Sequence, residues 1–285
     1  MKIGVSAFAW TTQFGPEHLR VLSLLREHGV SGFEIPMFDP AEVDAPSIRR
    51  AMEQQDMECT VCAIIPSGIN PISPDQAVRY RSVEHLLDCI ATSAEMGAKI
   101  VCGPLYAPIG YLPERRRTDE EWTWALEAFR RLGDALDAKA MNLAIEPVNR
   151  SETFFLRTVA ETRAFCDEVG HPRIGITIDT FHANIEEKSI SDAIVSAGSR
   201  LMHVHASEND RGLLGSGHAN FPEIISTLRH TGYDGFIMIE GFGYSRDEGN
   251  VLGRLWGDPS VSPEDIAFQG AAYLRKFLNS GVPSI

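Results

Sequence analysis

The stretch Arg173-Ile-Gly-Ile-Thr-Ile-Asp-Thr-Phe-His-Ala-Asn184 decides the reading of this chain. Its first half, Ile174 to Ile178, is apolar and rich in β-branched residues, the pattern of a strand buried on both faces. The run stops at Asp179, and His182 follows in the next turn of chain. A carboxylate and an imidazole at the end of a buried strand cost stability unless something pairs with them. A metal ion is one such partner, and three other apolar runs in this chain end in the same kind of residue.

Working outward, short apolar runs alternate with amphipathic helical patterns from end to end. Strands are expected over Ile3–Phe8, Gly32–Ile35, Cys59–Ile64, Ile100–Gly103, Leu143–Glu146, Ile174–Asp179, Leu201–His205 and Phe236–Glu240. Helices are expected near Pro16–His28, Ala45–Gln55, Pro74–Met96, Asp119–Lys139, Val159–Val169, Ser191–Ala197, Pro222–Thr231 and Pro263–Ser280. Ser73-Pro-Asp-Gln76, Thr118-Asp-Glu-Glu121 and Thr158-Val-Ala-Glu161 each fit a capping box, while Gly29, Gly97, Gly170 and Gly232 stand where left-handed C-caps would. Eight consecutive strand–helix units with short connections predict a closed parallel (β/α)8 barrel, a TIM barrel, built as one domain over residues 1–285. An open doubly wound sheet is the alternative, but no G-x-G-x-x-G follows the first strand.

Composition narrows the function. At 285 residues and 44% hydrophobic content the chain can bury one large core, and its net charge of -13 argues against a nucleic-acid or anionic-membrane partner. Five cysteines, mostly within apolar segments, suit a reducing compartment, and with no signal-peptide pattern or membrane-length apolar run the expected location is the cytoplasm. Cys59 and Cys62 form a C-x-x-C, but on a strand these positions face opposite ways and do not share a metal. Two strand-to-helix connections are long, 104–117 and 241–262, and such loops cover a site or build an interface. The run Arg115–Arg117 in the first reads as solvated charge at a helix start rather than as a phosphate clamp.

Four strand ends carry the chemistry: Glu146 after strand five, Asp179 after six, His205 after seven and Glu240 after eight. In a barrel all four point into one mouth. Three carboxylates so placed repel one another without a counter-ion, and a divalent cation removes that problem. Three oxygen donors and one imidazole suit Mn²⁺, with Mg²⁺ or Co²⁺ as alternatives. His203 shares the facing of His205 and is expected to support it or to sit in the core. His182 is expected to touch substrate, and Glu152 and Arg211 fall on loops at the same mouth. Trp10, Glu34 and Ile65, ending earlier strands, are expected to line the pocket.

Glu146-Pro-Val-Asn-Arg-Ser-Glu152, Asp179-Thr-Phe-His182, His205-Ala-Ser-Glu-Asn-Asp-Arg211 and Ile239-Glu-Gly-Phe242 resemble the blocks of the xylose-isomerase-like barrel superfamily, and within it the ketose 3-epimerase branch. The resemblance spans essentially the whole chain. It implies Glu146, Asp179, His205 and Glu240 as metal ligands, and Glu152, His182 and Arg211 as contacts to the carbonyl end of a keto-sugar. It further implies a homodimer or homotetramer. The chain departs from several members of that branch in the loop after strand four, where Tyr106-Ala-Pro-Ile-Gly110 replaces a tryptophan, and in a long loop after strand eight.

The expected reaction is epimerisation at carbon 3 of a free keto-sugar through a cis-enediolate, a cation polarising the ketone while Glu146 and Glu240 act as acid and base from different sides. Alternatives within the superfamily are a hydroxypyruvate or aldose–ketose isomerase, a ketose-5-phosphate 3-epimerase and a keto-inositol dehydratase. A DNA-repair endonuclease would need a basic groove, and a non-catalytic sugar-binding barrel would be expected to lose one of the two bases.

Overall fold

The structure, a computed structural model, describes residues 1–242 and 261–279. Eight parallel strands close into a barrel in chain order: β1 Lys2–Ser6, β2 Gly32–Met37, β3 Glu58–Ala63, β4 Ile100–Gly103, β5 Asn142–Ile145, β6 Ile174–Asp179, β7 Leu201–Ala206 and β8 Phe236–Ile239. The ring closes because β1 pairs with both β2 and β8. This is the expected (β/α)8 TIM barrel.

Side-chain alternation sorts each strand into two sets. Ile35, Val61, Val101, Leu143, Ile145, Ile176, Val204 and Ile239 face outward into the main core between strands and helices. Phe8, Cys62, Ile64, Ile100, Cys102, Ala144 and Phe242 form a second, smaller cluster inside the ring. Cys59 and Cys62 fall in different clusters, as their spacing on a strand requires. All five cysteines are free and buried.

The outer layer comprises α1 Arg20–Glu27, α2 Ala45–Gln54, α3 Gln76–Glu95, α4 Asp119–Arg130, α5 Gly133–Lys139, α6 Val159–Val169, α7 Thr180–Glu186, α8 Ile190–Ala197 and α9 Phe221–His230, with a further helix over Pro263–Asn279. Among the described residues no helix is long and apolar enough to cross a membrane. Thr118 opens α4 with the expected reciprocal box: its hydroxyl accepts from the Glu121 N–H, and Glu121 accepts from the Thr118 N–H at 2.8 Å. At α3 the expectation shifts, because Asp75 rather than Ser73 accepts from the Ala77 N–H and caps the helix. Likewise Glu161 accepts from the Arg157 N–H instead of that of Thr158, although the Thr158 hydroxyl still caps α6. The single helix expected over Asp119–Lys139 is two, α4 and α5. The helix expected over Pro16–His28 begins as a 3-10 turn, Pro16–His18. Phe8, expected in β1, lies in a 3-10 turn over Ala7–Ala9.

Arg115 and Arg117 are tied into the scaffold. Arg115 donates to the buried Glu121 carboxylate at 2.7 and 3.0 Å, and Arg117 donates to the Phe155 carbonyl while stacking on Trp122. The long 241–262 connection lies, for residues 243–260, outside the described residues.

Two local features set the level of the strand ends. Pairing between β6 and β7 slips by one residue at Ile176/Thr177, so that Asp179 lies beside His205. Without the slip it would lie beside Val204, whose side chain faces outward. Gly103 ends β4 with φ +129°, and its carbonyl accepts from the Glu146 N–H at 3.0 Å. A Cβ there would come 2.1 Å from the Ala63 carbonyl oxygen, so no larger residue fits without moving β3. Gly103→Ala is therefore expected to lower unfolding free energy by roughly 2–4 kcal/mol, from backbone strain and overpacking together. Urea denaturation of the two proteins measures it.

Candidate metal and sugar site

Inward parity and strand-end position together bring the sequence-predicted residues to one place. Glu146 follows β5, Asp179 ends β6, His205 lies on β7 and Glu240 follows β8; each is at least 96% buried. One oxygen of Glu146, one of Asp179 and a nitrogen of His205 lie within 4.8 Å of one another, a grouping that can hold a metal ion. His205 Nδ1 is 3.4 Å from Glu146 Oε1 and 3.7 Å from Glu240 Oε1. Glu240 stands at the edge of the group because its other oxygen accepts from Arg211 Nη1 at 2.6 Å.

The electrostatics call for a cation. Burial works against charging His205, yet Glu34, Glu240 and Glu146 outweigh it and hold its pKa well above the usual histidine range. Burial pushes Glu240 up to about 8, despite the opposing pull of His205 and Arg211. Asp179, although burial works to raise it, is brought down to about 2, chiefly by Arg211. Among the described residues, buried His205 Nδ1 faces two carboxylate oxygens and makes no hydrogen bond. A buried polar atom without a partner costs about 1–3 kcal/mol. An orphaned imidazole nitrogen among carboxylates fits a divalent ion of the Mn²⁺ or Mg²⁺ kind, and this donor set contains no thiolate.

The residues expected to touch substrate surround the same mouth. Arg211 Nη1 donates to Asp179, Glu240 and Ser207, and its guanidinium packs 4.0 Å from the Phe181 ring centroid. Arg211 takes a left-handed backbone, φ +60°. His182 sits on α7, which starts directly from Asp179: Asp179 Oδ1 accepts from the Phe181 N–H at 2.8 Å and caps the helix. This helix was not expected from the sequence, although an Asp before Thr-Phe-His is an N-cap signal.

Asn149 was also missed. Its backbone N–H donates to His182 Nδ1 at 3.2 Å and its side-chain amide donates to Glu152 at 2.8 Å. His182 Nδ1 is thereby an acceptor, and its Nε2 lies 3.2 Å from Arg211 Nη2 and 3.7 Å from Asp179 Oδ2. Burial, which outweighs the charge of Asp179, keeps this imidazole below its usual pKa.

Phe8, Ile64, Val148 and Phe242 wall a cavity whose polar lining is Glu146, Glu152, His182, Arg211 and Glu240. Of the three residues expected to line it from earlier strands, none does so. Trp10 turns away to donate to Glu264; Ile65 faces the outer core, and its neighbour Ile64 lines the cavity instead. Glu34 lies deeper, beneath His205. A larger cavity opens at the opposite end of the barrel, beside Lys2, Glu58, Lys99 and Asn142. The strand-end acids are absent from its lining, and barrel chemistry belongs to the carboxyl end of the strands.

Residues 22–277 match the family of xylose isomerase-like TIM barrels, and the chain belongs to that family. It is 30% identical over 284 residues to a ketose 3-epimerase of Arthrobacter globiformis, covering 98% of both chains. It is 29% identical over 276 residues to a probable ketose 3-epimerase of Synechocystis, covering 97% of this chain and 96% of the relative. Among solved structures, the D-allulose 3-epimerase from Methylomonas superposes with a TM-score of 0.91 at 26% identity, covering 97% of this chain and 98% of that one.

Asn149→Ala should leave Glu152 short of a buried partner, while the backbone N–H that donates to His182 remains. A loss of roughly 1–3 kcal/mol of stability is expected, measured by thermal or urea unfolding.

Proposed function

We propose that this protein is a metal-dependent ketose 3-epimerase acting on free keto-sugars. The observation that carries the reading is the approach of two strand-end carboxylates, Glu146 and Glu240, to the same orphaned nitrogen of His205. In this reading Glu146, Asp179, His205 and Glu240 hold a divalent cation, Mn²⁺ with Mg²⁺ or Co²⁺ as alternatives, and Glu152, His182 and Arg211 hold the carbonyl end of the sugar. The names of the relatives support the substrate class. The homo-oligomeric state and the single domain over residues 1–285 belong to the same proposal.

The hydrogen on carbon 3 of a ketose lies next to a carbonyl and is only weakly acidic. When bound, the cation would neutralise the carboxylates and polarise the ketone. The chain's own residues handle the proton. Removal leaves a planar cis-enediolate, and inversion requires return of a proton to the other face. Glu146 and Glu240 leave strands three places apart in the ring, so they approach a sugar in the cavity from different sides. Each takes the proton in one direction of reaction and returns it in the other. Arg211 and His182 are polar groups of the cavity lining that can bind the sugar oxygens, and Phe8 and Phe242 are part of its apolar wall.

The superfamily alternatives part on one experiment. D-fructose incubated with the enzyme in D₂O should take up deuterium at carbon 3; label at carbon 1 would make the protein an isomerase instead. A ketose phosphate is disfavoured because Arg115, in the only run of cations proposed for it, is already paired with Glu121. Glu146→Gln and Glu240→Gln should each lower kcat by about 10²–10⁴-fold with the circular dichroism spectrum unchanged. Substantial residual epimerisation in either variant contradicts the two-base assignment.

Removal of metal gives a third readout. Dialysis against a chelator should abolish turnover, and Mn²⁺ at a hundredfold excess over its Kd should stabilise the chain by about 2.7 kcal/mol. Thermal unfolding with and without the ion tests this independently of any sugar.

A further inference from the structure

We propose that Glu34 is a positioning residue for this site: from the far wall of the barrel its carboxylate holds the His205 ring by Nε2, so that Nδ1 is turned toward the cation. The proposal rests on reading His205 as a metal ligand.

Glu34 lies on β2 and His205 on β7, and both side chains are wholly buried. His205 Nε2 is 3.0 Å from Glu34 Oε1. The other oxygen, Oε2, is 2.8 Å from His203 Nε2, accepts from Thr60 Oγ1 at 3.1 Å and lies 3.5 Å from Cys102 Sγ. Stability does not explain this carboxylate, because burying an ion costs several kcal/mol and well-packed apolar replacements of buried ion pairs are often neutral or stabilising.

Tautomer chemistry does explain it. A neutral imidazole carries one N–H, and the group facing one nitrogen decides which nitrogen that is. With the proton on Nε2, the ring presents a donor to Glu34 and a lone pair at Nδ1. In the other tautomer a bare Nε2 would face the Glu34 carboxylate and, at 3.7 Å, the Cys102 sulfur. Among the described residues, the carboxylates within 4 Å of Nδ1 are those of Glu146 and Glu240, at the position where the cation is expected. Two buried atoms here lack hydrogen bonds, Glu34 Oε1 and His205 Nδ1, and they sit at opposite edges of the same ring contact. Glu34 Oε1 is the acceptor at hand for Nε2–H, and Nδ1 is the atom that would hold the cation. A carboxylate behind a ligating histidine also makes it a stronger donor to metal.

Glu34, Cys62, Cys102 and His205 also place ligand atoms within 4.8 Å of one another. That grouping is a poor second cation site, because Glu34 Oε2 is already occupied by His203 and Thr60. Its thiols are also held in the neutral form: burial pushes Cys102 well above its ordinary pKa and carries Cys62, against the lowering contact from Cys102, to about 11.

Calorimetric titration of the metal-free protein with Mn²⁺ is the test. Wild type should bind one ion per chain, Glu34→Gln should bind it about 10–100-fold more weakly, and Glu34→Asp, which keeps the charge, should fall between. The melting temperature of the metal-free Gln variant should match or exceed that of wild type, a result a merely structural role would not give. Should the variants fail to fold, nitrogen-15 NMR of the Mg²⁺-loaded wild type reads the tautomer directly, with the His205 proton expected on Nε2. Undiminished Mn²⁺ affinity in Glu34→Gln, a proton on Nδ1, or two ions per wild-type chain would each overturn the proposal. A wild-type chain that binds no Mn²⁺ removes the ligand reading itself, and this inference with it.

Discussion

Three carboxylates and one imidazole nitrogen, turned inward at one level of a closed barrel, form the constraint on which the rest of the structure depends. At an effective dielectric of 20, two like charges 4 Å apart repel by about 4 kcal/mol. The protein relieves part of this with Arg211, which bridges Asp179 and Glu240 from one side. On the other side, among the described residues, His205 Nδ1 faces Glu146 with no hydrogen bond. A site able to hold a cation keeps such a deficit, and the surrounding scaffold keeps it in place.

The scaffold does so by parity. The slip between β6 and β7 puts Asp179 level with His205, Gly103 lets the end of β4, whose carbonyl accepts from the Glu146 N–H, run close against β3, and Asp179 caps the helix that carries His182. One carboxylate thus serves two purposes through its two oxygens: Oδ1 holds a helix start, and Oδ2 faces the site. Asn149 links His182 to Glu152, and Glu34 faces His205 with one oxygen and His203 with the other.

Much of this was legible in the sequence, for a physical reason. Strands buried on both faces must be apolar throughout, so the polar residue that ends each run stands out, and Glu146, Asp179, His205 and Glu240 could be read without coordinates. Element existence follows from the same periodicity. What stayed hidden depends on distance across the ring. Glu34 looked like one more strand-end acid at the rim, since nothing in the sequence says that β2 places it opposite β7 and below the mouth. Helix α7 was missed because it begins with no loop after β6, where an apolar strand pattern gives no warning of a change in period. The break between α4 and α5 at Arg131–Leu132 was missed because the apolar stripe runs on through it. Asn149 stood inside a recognised block, but its role depends on His182 arriving from another strand end.

The most direct test of the central claim is anomalous diffraction from crystals of the protein grown with Mn²⁺. The account predicts a single manganese peak bonded to His205 Nδ1 and to oxygens of Glu146, Asp179 and Glu240. A peak elsewhere, or none at this position when the crystal is saturated with the ion, would contradict it.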